Sequence, residues 1–511
     1  MSTKKEFGDF QTPFSLAREV IDLVSSLIGT PSRVVEPTAG HGTFLDAAQK
    51  KWGNKAFYNG YEINSSYVKD ANARLSSRGI VIEHQDFFEA DWHDVLSFAD
   101  SKNLLVVGTP PWVTNAELGS LGSTNLPEKT NFQRLRGFDA KTGKANFDIA
   151  EWMLIRIIEA LPPSGTMAML CKTMTARKVL RHFWKTEGRG REQANLFLID
   201  SKKHFDVSVD ACLFFLRGRH SAERTATVFA ILDAQNKISE FGFVDGSLVS
   251  DMKTYDELRD LDGGSPYIWR SGLKHDASDI MELRPENGFY INGLNQSVDL
   301  EPSYVFPLLK SSDVGNGRTT PRRSVIVTQR STGEETSLIK HVAPKTWAYL
   351  EANADRLDSR RSSIYQNRPR FSMFGIGAYS FAPWKVAISG LYNSFRFVVI
   401  SSEAGRPIML DDTCYSIPCG SKEEASLIAD LLNSDTSQQF LRSLVFSGSK
   451  RPITTDVLRR ISLVALARRL RRLDELTPYM RQSESYMDAD ESQMQLVMEK
   501  GIEYERVNSA P

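Results

Sequence analysis

Residues 34–44 read VVEPTAGHGTF. The apolar run Arg33–Val35 ends at a carboxylate, Glu36; a turn carrying Gly40 and Gly42 follows, and helical spacing starts near Thr43. This is the junction of a buried strand with a helix. Glycine tolerates left-handed turn angles, and it lets backbone N–H groups approach a ligand closely beside a helix N-terminus. The spacing GxGxxG of dinucleotide enzymes is absent, because Leu45 stands where the last glycine would be.

Working outward, apolar runs recur at Ala56–Tyr61, Ile80–His84, Leu104–Val107, Thr166–Cys171 and Ala211–Leu216. Helical patterns alternate with them at Ser15–Ile28, Phe44–Lys51, Ser66–Ser76 and Phe147–Ala160. The alternation predicts an α/β domain with a mainly parallel sheet covered on both faces. Ligands of such sheets sit at the carboxyl ends of the strands.

Those ends carry chemistry. The second strand, AFYNGYEIN, ends at Glu62, about 20 residues beyond the glycine turn, where a carboxylate can accept both hydroxyl hydrogens of a ribose. The third, IVIEHQDFF, places Asp86 and Phe87 beyond its end, suited to the amino group and face of an adenine ring. Together these positions fit an adenosine compound bound without a phosphate cradle. The fourth strand delivers Thr109-Pro110-Pro111-Trp112 into a loop. Prolines fix the backbone and have no N–H to donate. The Thr109 oxygen, the Pro110 carbonyl and the Trp112 ring thus form a receptor for a planar heterocycle bearing an NH2 group.

At 511 residues the chain exceeds one ordinary domain, and a prior of about 150 residues per domain gives two to three. With 41% hydrophobic and 25% charged residues it can bury a sizeable core, which excludes collagenous, disordered and disulfide-stapled classes. The 63 basic residues balance 63 acidic ones, so a nucleic-acid surface must come from local charge segregation. Four cysteines without paired CxxC spacing predict neither a disulfide framework nor a zinc site. No secretion signal and no membrane-length apolar run is read, which points to the cytoplasm.

We expect three parts: residues 1–222, residues 223–473 rich in aromatic strand-like pieces, and a polar tail over 474–511. Between residues 113 and 146 lies a long polar stretch with Lys129, Arg134, Arg136, Lys141 and Lys144, a length that favours a functional loop.

The motifs jointly resemble the S-adenosylmethionine-dependent DNA amino-methyltransferases of restriction–modification systems, in the gamma order of cofactor motifs, catalytic motif and recognition domain. FGDFQTP (7–13), with Thr12 and Pro13, resembles the family's cofactor-flanking segment. EPTAGHGTF, with Glu36, Pro37, Gly40, Gly42 and Phe44, is similar to its methionine-binding loop. GYEIN, with Glu62 and Ile63, and HQDFF, with Asp86 and Phe87, resemble the ribose and adenine contacts. TPPW is similar to the catalytic motif, NFDIAEWML (146–154) to the helix completing the pocket, and HFDVSVDACLFFL (204–216) to the motif whose aromatic, Phe205, helps sandwich a flipped base.

The resemblance implies a Rossmann-like S-adenosylmethionine methyltransferase domain followed by a mixed α/β target-recognition domain. It implies S-adenosylmethionine as cofactor, no metal, double-stranded DNA as partner together with a cognate restriction endonuclease, and adenine as target. One departure stands out. The family has Asn or Asp before the prolines for adenine and often Ser for cytosine, whereas this chain has Thr109. That leaves N4-cytosine methylation, and a catalytically weak recognition subunit, as alternatives. No PDx…(D/E)xK-like constellation indicates a fused nuclease.

Overall fold

The computed structural model describes residues 11–97, 103–112, 149–186, 190–286, 288–446 and 451–480. The chain divides into two units, Met1–Met252 and Lys253–Pro511.

The first unit is built on ten strands: β1 (Arg33–Glu36), β2 (Phe57–Glu62), β3 (Ile80–His84), β4 (Leu104–Gly108), β5 (Thr166–Lys172), β6 (Gly190–Ile199), β7 (Ala211–Ser221), β8 (Thr225–Phe229), β9 (Lys237–Val244) and β10 (Ser247–Val249). They form one sheet in the order β10-β9-β8-β6-β7-β5-β4-β1-β2-β3. β1 through β5 are mutually parallel, and β7 runs antiparallel between β5 and β6. Val34, Val35 and Leu104 to Val107 are fully buried, as expected of central strands covered on both faces.

Helices α1 (Phe14–Ile28), α2 (Thr43–Trp52), α3 (Ser65–Leu75), α4 (Trp92–Leu96), α5 (Ile149–Ala160), α6 (Thr173–Thr186) and α7 (Ser201–Phe205) accompany the sheet. α1 buries Leu16, Val20, Ile21 and Val24, a stripe at helical spacing, in the core that also holds Leu45, Leu105 and Leu213. β1 pairs with β2 on one side and β4 on the other, so the strand order reverses there and opens a crevice at the carboxyl ends. The expected helices and strands of this region are present. Not singled out from the sequence are β6, whose polar first half hides a strand, the strands β8, β9 and β10, and the helices α4, α6 and α7.

The expected boundary at 222/223 moves to 252/253. β8 pairs in parallel with β6, and β9 and β10 extend the same sheet as antiparallel neighbours. Phe229 of β8 stacks on Phe197 of β6 at 4.6 Å and 13°. The change of texture near 225 marks a change from helix-covered parallel strands to an antiparallel meander, not a new unit.

The second unit holds two sheets. One has the order β11 (Arg270–Ser271), β20 (Cys414–Cys419), β17 (Trp384–Ser389), β18 (Val398–Ser401). The other runs β14 (Ser297–Val298), β13 (Phe289–Asn292), β12 (Glu282–Glu286), β16 (Arg323–Ile326), β15 (Val305–Leu309), β19 (Met409–Leu410). It is a mixed α/β unit, with helices at Pro344–Ala352, Ala354–Asp358, Lys422–Asn433 and Asp435–Ser443. Ser421 and Ser434 cap the last two by accepting from Glu424 and Ser437 N–H groups. Ordered chain continues past the expected tail boundary: helix Leu473–Met480 buries Leu476 completely, and residues 481–511 lie outside the described set.

Gly375, in the run FGIGAYSFAPWKV (374–386), packs tightly on its own chain. Its φ is +68°, and a Cβ there would lie 2.0 Å from the Gly272 carbonyl oxygen. We expect Gly375→Ala to destabilise the second unit by about 3 kcal/mol or more, through a left-handed angle and an overpacked backbone contact. Urea unfolding of parent and variant checks this; a change below 1 kcal/mol would contradict it.

Candidate active site

A cavity opens at the carboxyl ends of the first four strands, walled by the segments predicted from sequence. Glu36, Pro37 and Gly40 come from beyond β1, Glu62 and Ile63 from β2, Asp86 and Phe87 from β3, and Thr109, Pro110 and Pro111 from β4. Thr12 enters from the segment before α1, and Met153 from α5.

In the glycine turn the two glycines do different work. Gly40 (φ +50°) lines the cavity and donates its N–H to Glu62 Oε2 at 2.7 Å. Gly42 (φ +72°) stands behind the wall, where a Cβ would come within 2.8 Å of both Ile82 and Leu75. Phe44 is 1% exposed in the core. Expected as cofactor contacts, Gly42 and Phe44 instead let α2 pack closely on β3 and α3, a distinction that a local motif does not carry. Pro13 likewise does not line the cavity; its carbonyl accepts the Ala17 N–H at the start of α1.

Both glutamates are held by backbone donors. Glu62 Oε1 accepts from Asn64 N–H at 2.8 Å and Oε2 from Gly40 N–H, which fixes the carboxylate at the cavity wall. Glu36 is 3% exposed and accepts from Leu45 N–H at 3.3 Å; no salt bridge to it is found among the described residues. Burial raises its carboxyl pKa well above the usual range, Leu45 N–H opposes this, and the neighbouring Glu62 charge adds to it.

Asp86 Oδ1 accepts from Phe88 N–H at 2.8 Å, which closes the turn after β3. Phe87 packs on Trp92 at 4.6 Å between ring centroids, and Trp92 Nε1 donates to the Phe87 carbonyl at 2.9 Å. The Phe87 ring is therefore fixed from behind, 6% exposed, at the cavity wall.

The loop after β4 is tied at both ends of Thr109. Thr38 Oγ1 donates to the Thr109 carbonyl at 3.2 Å, and the hydroxyls of Thr12 and Thr109 are 2.8 Å apart. Pro110 and Pro111 line the cavity, and among the described residues no donor is found on the Pro110 carbonyl. Trp112 differs from expectation. Read as an open aromatic plate, it turns into the core at 6% exposure and donates Nε1 to the Leu170 carbonyl at 3.3 Å, the partner a buried indole N–H requires. Phe205, the second expected plate, meets Trp112 at 5.1 Å with an interplanar angle of 60°. The two expected plates touch each other, but neither lines the cavity.

Sequence reading missed Gln11, Thr38, Asn64, Tyr67 and Phe88 on the wall. Gln11, Thr38, Asn64 and Phe88 lie inside the quoted motifs and Tyr67 on α3, and none carries a signal of its own. The basic loop of residues 113–146 lies outside the described residues.

In the second unit the basic residues, and Trp269 beside them, separate by environment. Trp269 (2% exposed), Arg270 (8%) and Lys385 (3%) are buried. Lys385 donates to the Ala382 and Ile408 carbonyls at 3.0 Å each, and burial pulls its pKa down to about 7. Lys274, Arg318, Arg323, Arg370 and Arg451 reach carboxylates. Arg322 is exposed, Arg368 lies 5.7 Å from the Phe374 ring, and Lys450 lies outside the described residues. In the RRLRR run, Arg469 pairs with Asp260 and Arg472 with Glu475, a solvated face. Asp411 accepts from Ser311 and Thr413 N–H groups, which accounts for it as a turn residue.

Strand order β3-β2-β1-β4-β5-β7-β6 with β7 reversed, together with this cavity, defines a Rossmann-like methyltransferase domain. The Type II methyltransferase M.NspV of Nostoc sp. (strain ATCC 29411 / PCC 7524) is 41% identical over 473 residues, covering 91% of this chain and 98% of the relative. The chain belongs to the Type II methyltransferases, the modification enzymes of restriction–modification systems. No family model matches.

Among solved structures, similarity extends to the Type IIL restriction-modification enzyme MmeI in complex with DNA, with a TM-score of 0.47, 14% identity, and 88% of this chain and 63% of that one covered. The type IIG restriction endonuclease BpuSI gives 0.37 and 14%, with 88% and 58% covered. This chain thus spans less than two thirds of either enzyme's length. Among the described residues no helix is long and apolar enough to cross a membrane, and no group of three or more metal-ligating side chains occurs.

Proposed function

We propose that this methyltransferase moves the methyl group of S-adenosylmethionine to the exocyclic amine of adenine in duplex DNA, with the second unit reading the target sequence. The observation that carries the reading is one cavity wall shared by Gly40, Glu62 and Asp86 with Thr109, Pro110 and Pro111. A nucleoside-binding set and an amine-accepting set open onto the same space.

The residues fit the cofactor. A buried carboxylate such as Glu36, held by N–H donors and found in no salt bridge among the described residues, suits an ammonium group of the methionine part. Glu62, a carboxylate fixed at the cavity wall, suits ribose hydroxyls, and Asp86 with Phe87 offers an acceptor and an aromatic face to adenine. When bound, the cofactor would supply an electrophilic methyl on a sulfonium: the amine nitrogen would form the N–C bond as the S–C bond breaks to leave a thioether, and the amine proton would pass to solvent.

The chain's own work is positioning. A base inside a duplex is out of reach, so it must be flipped. Base–aromatic stacking is worth roughly 1–3 kcal/mol, comparable with the cost of unstacking; Trp112 is buried, so the half-buried Phe205 packed against it is the aromatic beside this loop left for a flipped base. The amine lone pair is conjugated with the ring. Two acceptors, the Thr109 hydroxyl and the Pro110 carbonyl, draw its hydrogens out of the ring plane and so localise the pair for attack. His, metal and covalent nucleophiles have no part in this scheme.

A second reading, transfer to cytosine N4, is favoured by Thr109 itself, since a hydroxyl stands at this position in many enzymes of that type. The deciding experiment is incubation with labelled S-adenosylmethionine and mixed genomic DNA, then digestion to nucleosides. Label in N6-methyladenosine supports the proposal, label in N4-methylcytosine moves it to the second reading, and label in protein alone removes both. Raising salt from about 50 to 200 mM should weaken DNA binding at least 100-fold if phosphate contacts dominate. A flat response would exclude them.

A further inference from the structure

We infer that Thr12 is a positioning residue for the methyl-accepting end of the site: its hydroxyl oxygen accepts a hydrogen bond from the Thr109 O–H and thereby leaves the Thr109 lone pairs to the incoming amine. The inference rests on the role proposed above for Thr109. It gives Thr12, expected from sequence only as a cofactor contact, a different task.

A hydroxyl has one hydrogen and two lone pairs. The Thr12 and Thr109 hydroxyls are 2.8 Å apart, and either could donate. If Thr12 donated, one Thr109 lone pair would be used and the Thr109 hydrogen would need another acceptor. No other hydrogen bond of the Thr109 hydroxyl is found among the described residues, so that hydrogen would turn toward the cavity and oppose the amine hydrogens. If Thr109 donates, its hydrogen is satisfied inside the wall and an acceptor lone pair faces the cavity.

Asn or Asp in this position brings an acceptor oxygen that carries no hydrogen. A threonine must place one. Thr12 provides the place, and the geometry keeps it there. Thr12 is 9% exposed, Thr38 fixes the Thr109 carbonyl at 3.2 Å, and the β-branched Thr109 side chain has few rotamers to choose from. The two hydroxyls come from segments 97 residues apart, so no local motif could announce the pair.

The test uses the full chain in five forms: parent, Thr12→Val, Thr12→Ser, Thr109→Asn, and Thr12→Val combined with Thr109→Asn. Single-turnover methylation and S-adenosylmethionine affinity are measured separately. Thr12→Val preserves shape and is expected to slow methyl transfer about tenfold with cofactor affinity within about twofold, and Thr12→Ser to return within about threefold of the parent. In the Thr109→Asn background, where the acceptor has no hydrogen to place, Thr12→Val should cost less than about twofold.

A loss confined to cofactor affinity, or equal losses in the two backgrounds, would overturn the inference. A crystal structure of the parent with the non-transferable analogue sinefungin decides it independently of turnover: hydroxyls within hydrogen-bond distance support it, and hydroxyls beyond about 3.5 Å overturn it. A parent that labels no DNA removes the functional proposal while leaving that distance to be read.

Discussion

Thr109→Val is expected to lower the single-turnover rate of methyl transfer by about 10²–10³-fold, the loss typical when one preorganised polar partner of a reacting group is removed. The substitution keeps the β-branched shape at the cavity wall and deletes the oxygen proposed above to meet the amine. Cofactor affinity should stay within about threefold, because Glu36, Glu62 and Asp86 keep their backbone partners. A loss in affinity matching the loss in rate would place Thr109 in cofactor binding. Thr109→Asn discriminates further. An active parent should gain less than about tenfold, whereas a chain that has kept the fold as a recognition subunit should gain far more. Rapid-quench measurement of labelled DNA reports both variants.

Glu36→Gln is expected to separate stability from binding. Burial raises the Glu36 carboxyl pKa well above 4.5, with Glu62 adding repulsion. Below pH 4.5 the group is protonated in both folded and unfolded chains. Above it the unfolded chain has released a proton that the folded chain still holds, so stability falls as pH rises through the raised value. A neutral amide removes that cost, so the ligand-free variant should melt at a higher temperature than the parent at pH 8 and at the same temperature near pH 4. Binding should move the other way. An ammonium against Glu36 favours the ionised carboxylate, so at a pH between 4.5 and the raised value cofactor binding by the parent should release a proton. The variant should lose both the release and at least about 100-fold in affinity, as expected when one partner of a buried charge pair is removed. Calorimetry in two buffers of different ionisation heat reads both; undiminished proton release in Glu36→Gln would assign it to another group.

Much of this molecule was legible because its signals are local. VVEPTAGHGTF, GYEIN, HQDFF and TPPW each couple an apolar run to a polar strand end, and period-2 and period-3.6 patterning suffices to place such ends on one edge of a parallel sheet. The structure brings Glu36, Gly40, Glu62, Asp86 and Thr109 to one cavity from that pattern alone. What the sequence left undecided depends on packing between distant segments. Gly40 and Gly42 are equivalent in the motif, and only Ile82 and Leu75 behind the turn assign Gly42 to packing. Trp112 reads as an exposed plate, yet a carbonyl on β5, 58 residues away, draws its indole inward.

The amino-acid sequence by itself determined the alternation of strands and helices, the strand ends that carry the polar groups and the family to which they belong, because each follows from residues near one another in the chain. Tertiary structure alone decided where the first unit ends, which basic residues of the second unit are neutralised or buried, and that Thr109 has Thr12 as its partner. Those outcomes turn on hydrogen bonds and contacts between segments tens to hundreds of residues apart, and the hydrophobic pattern that folds the chain does not encode their pairing.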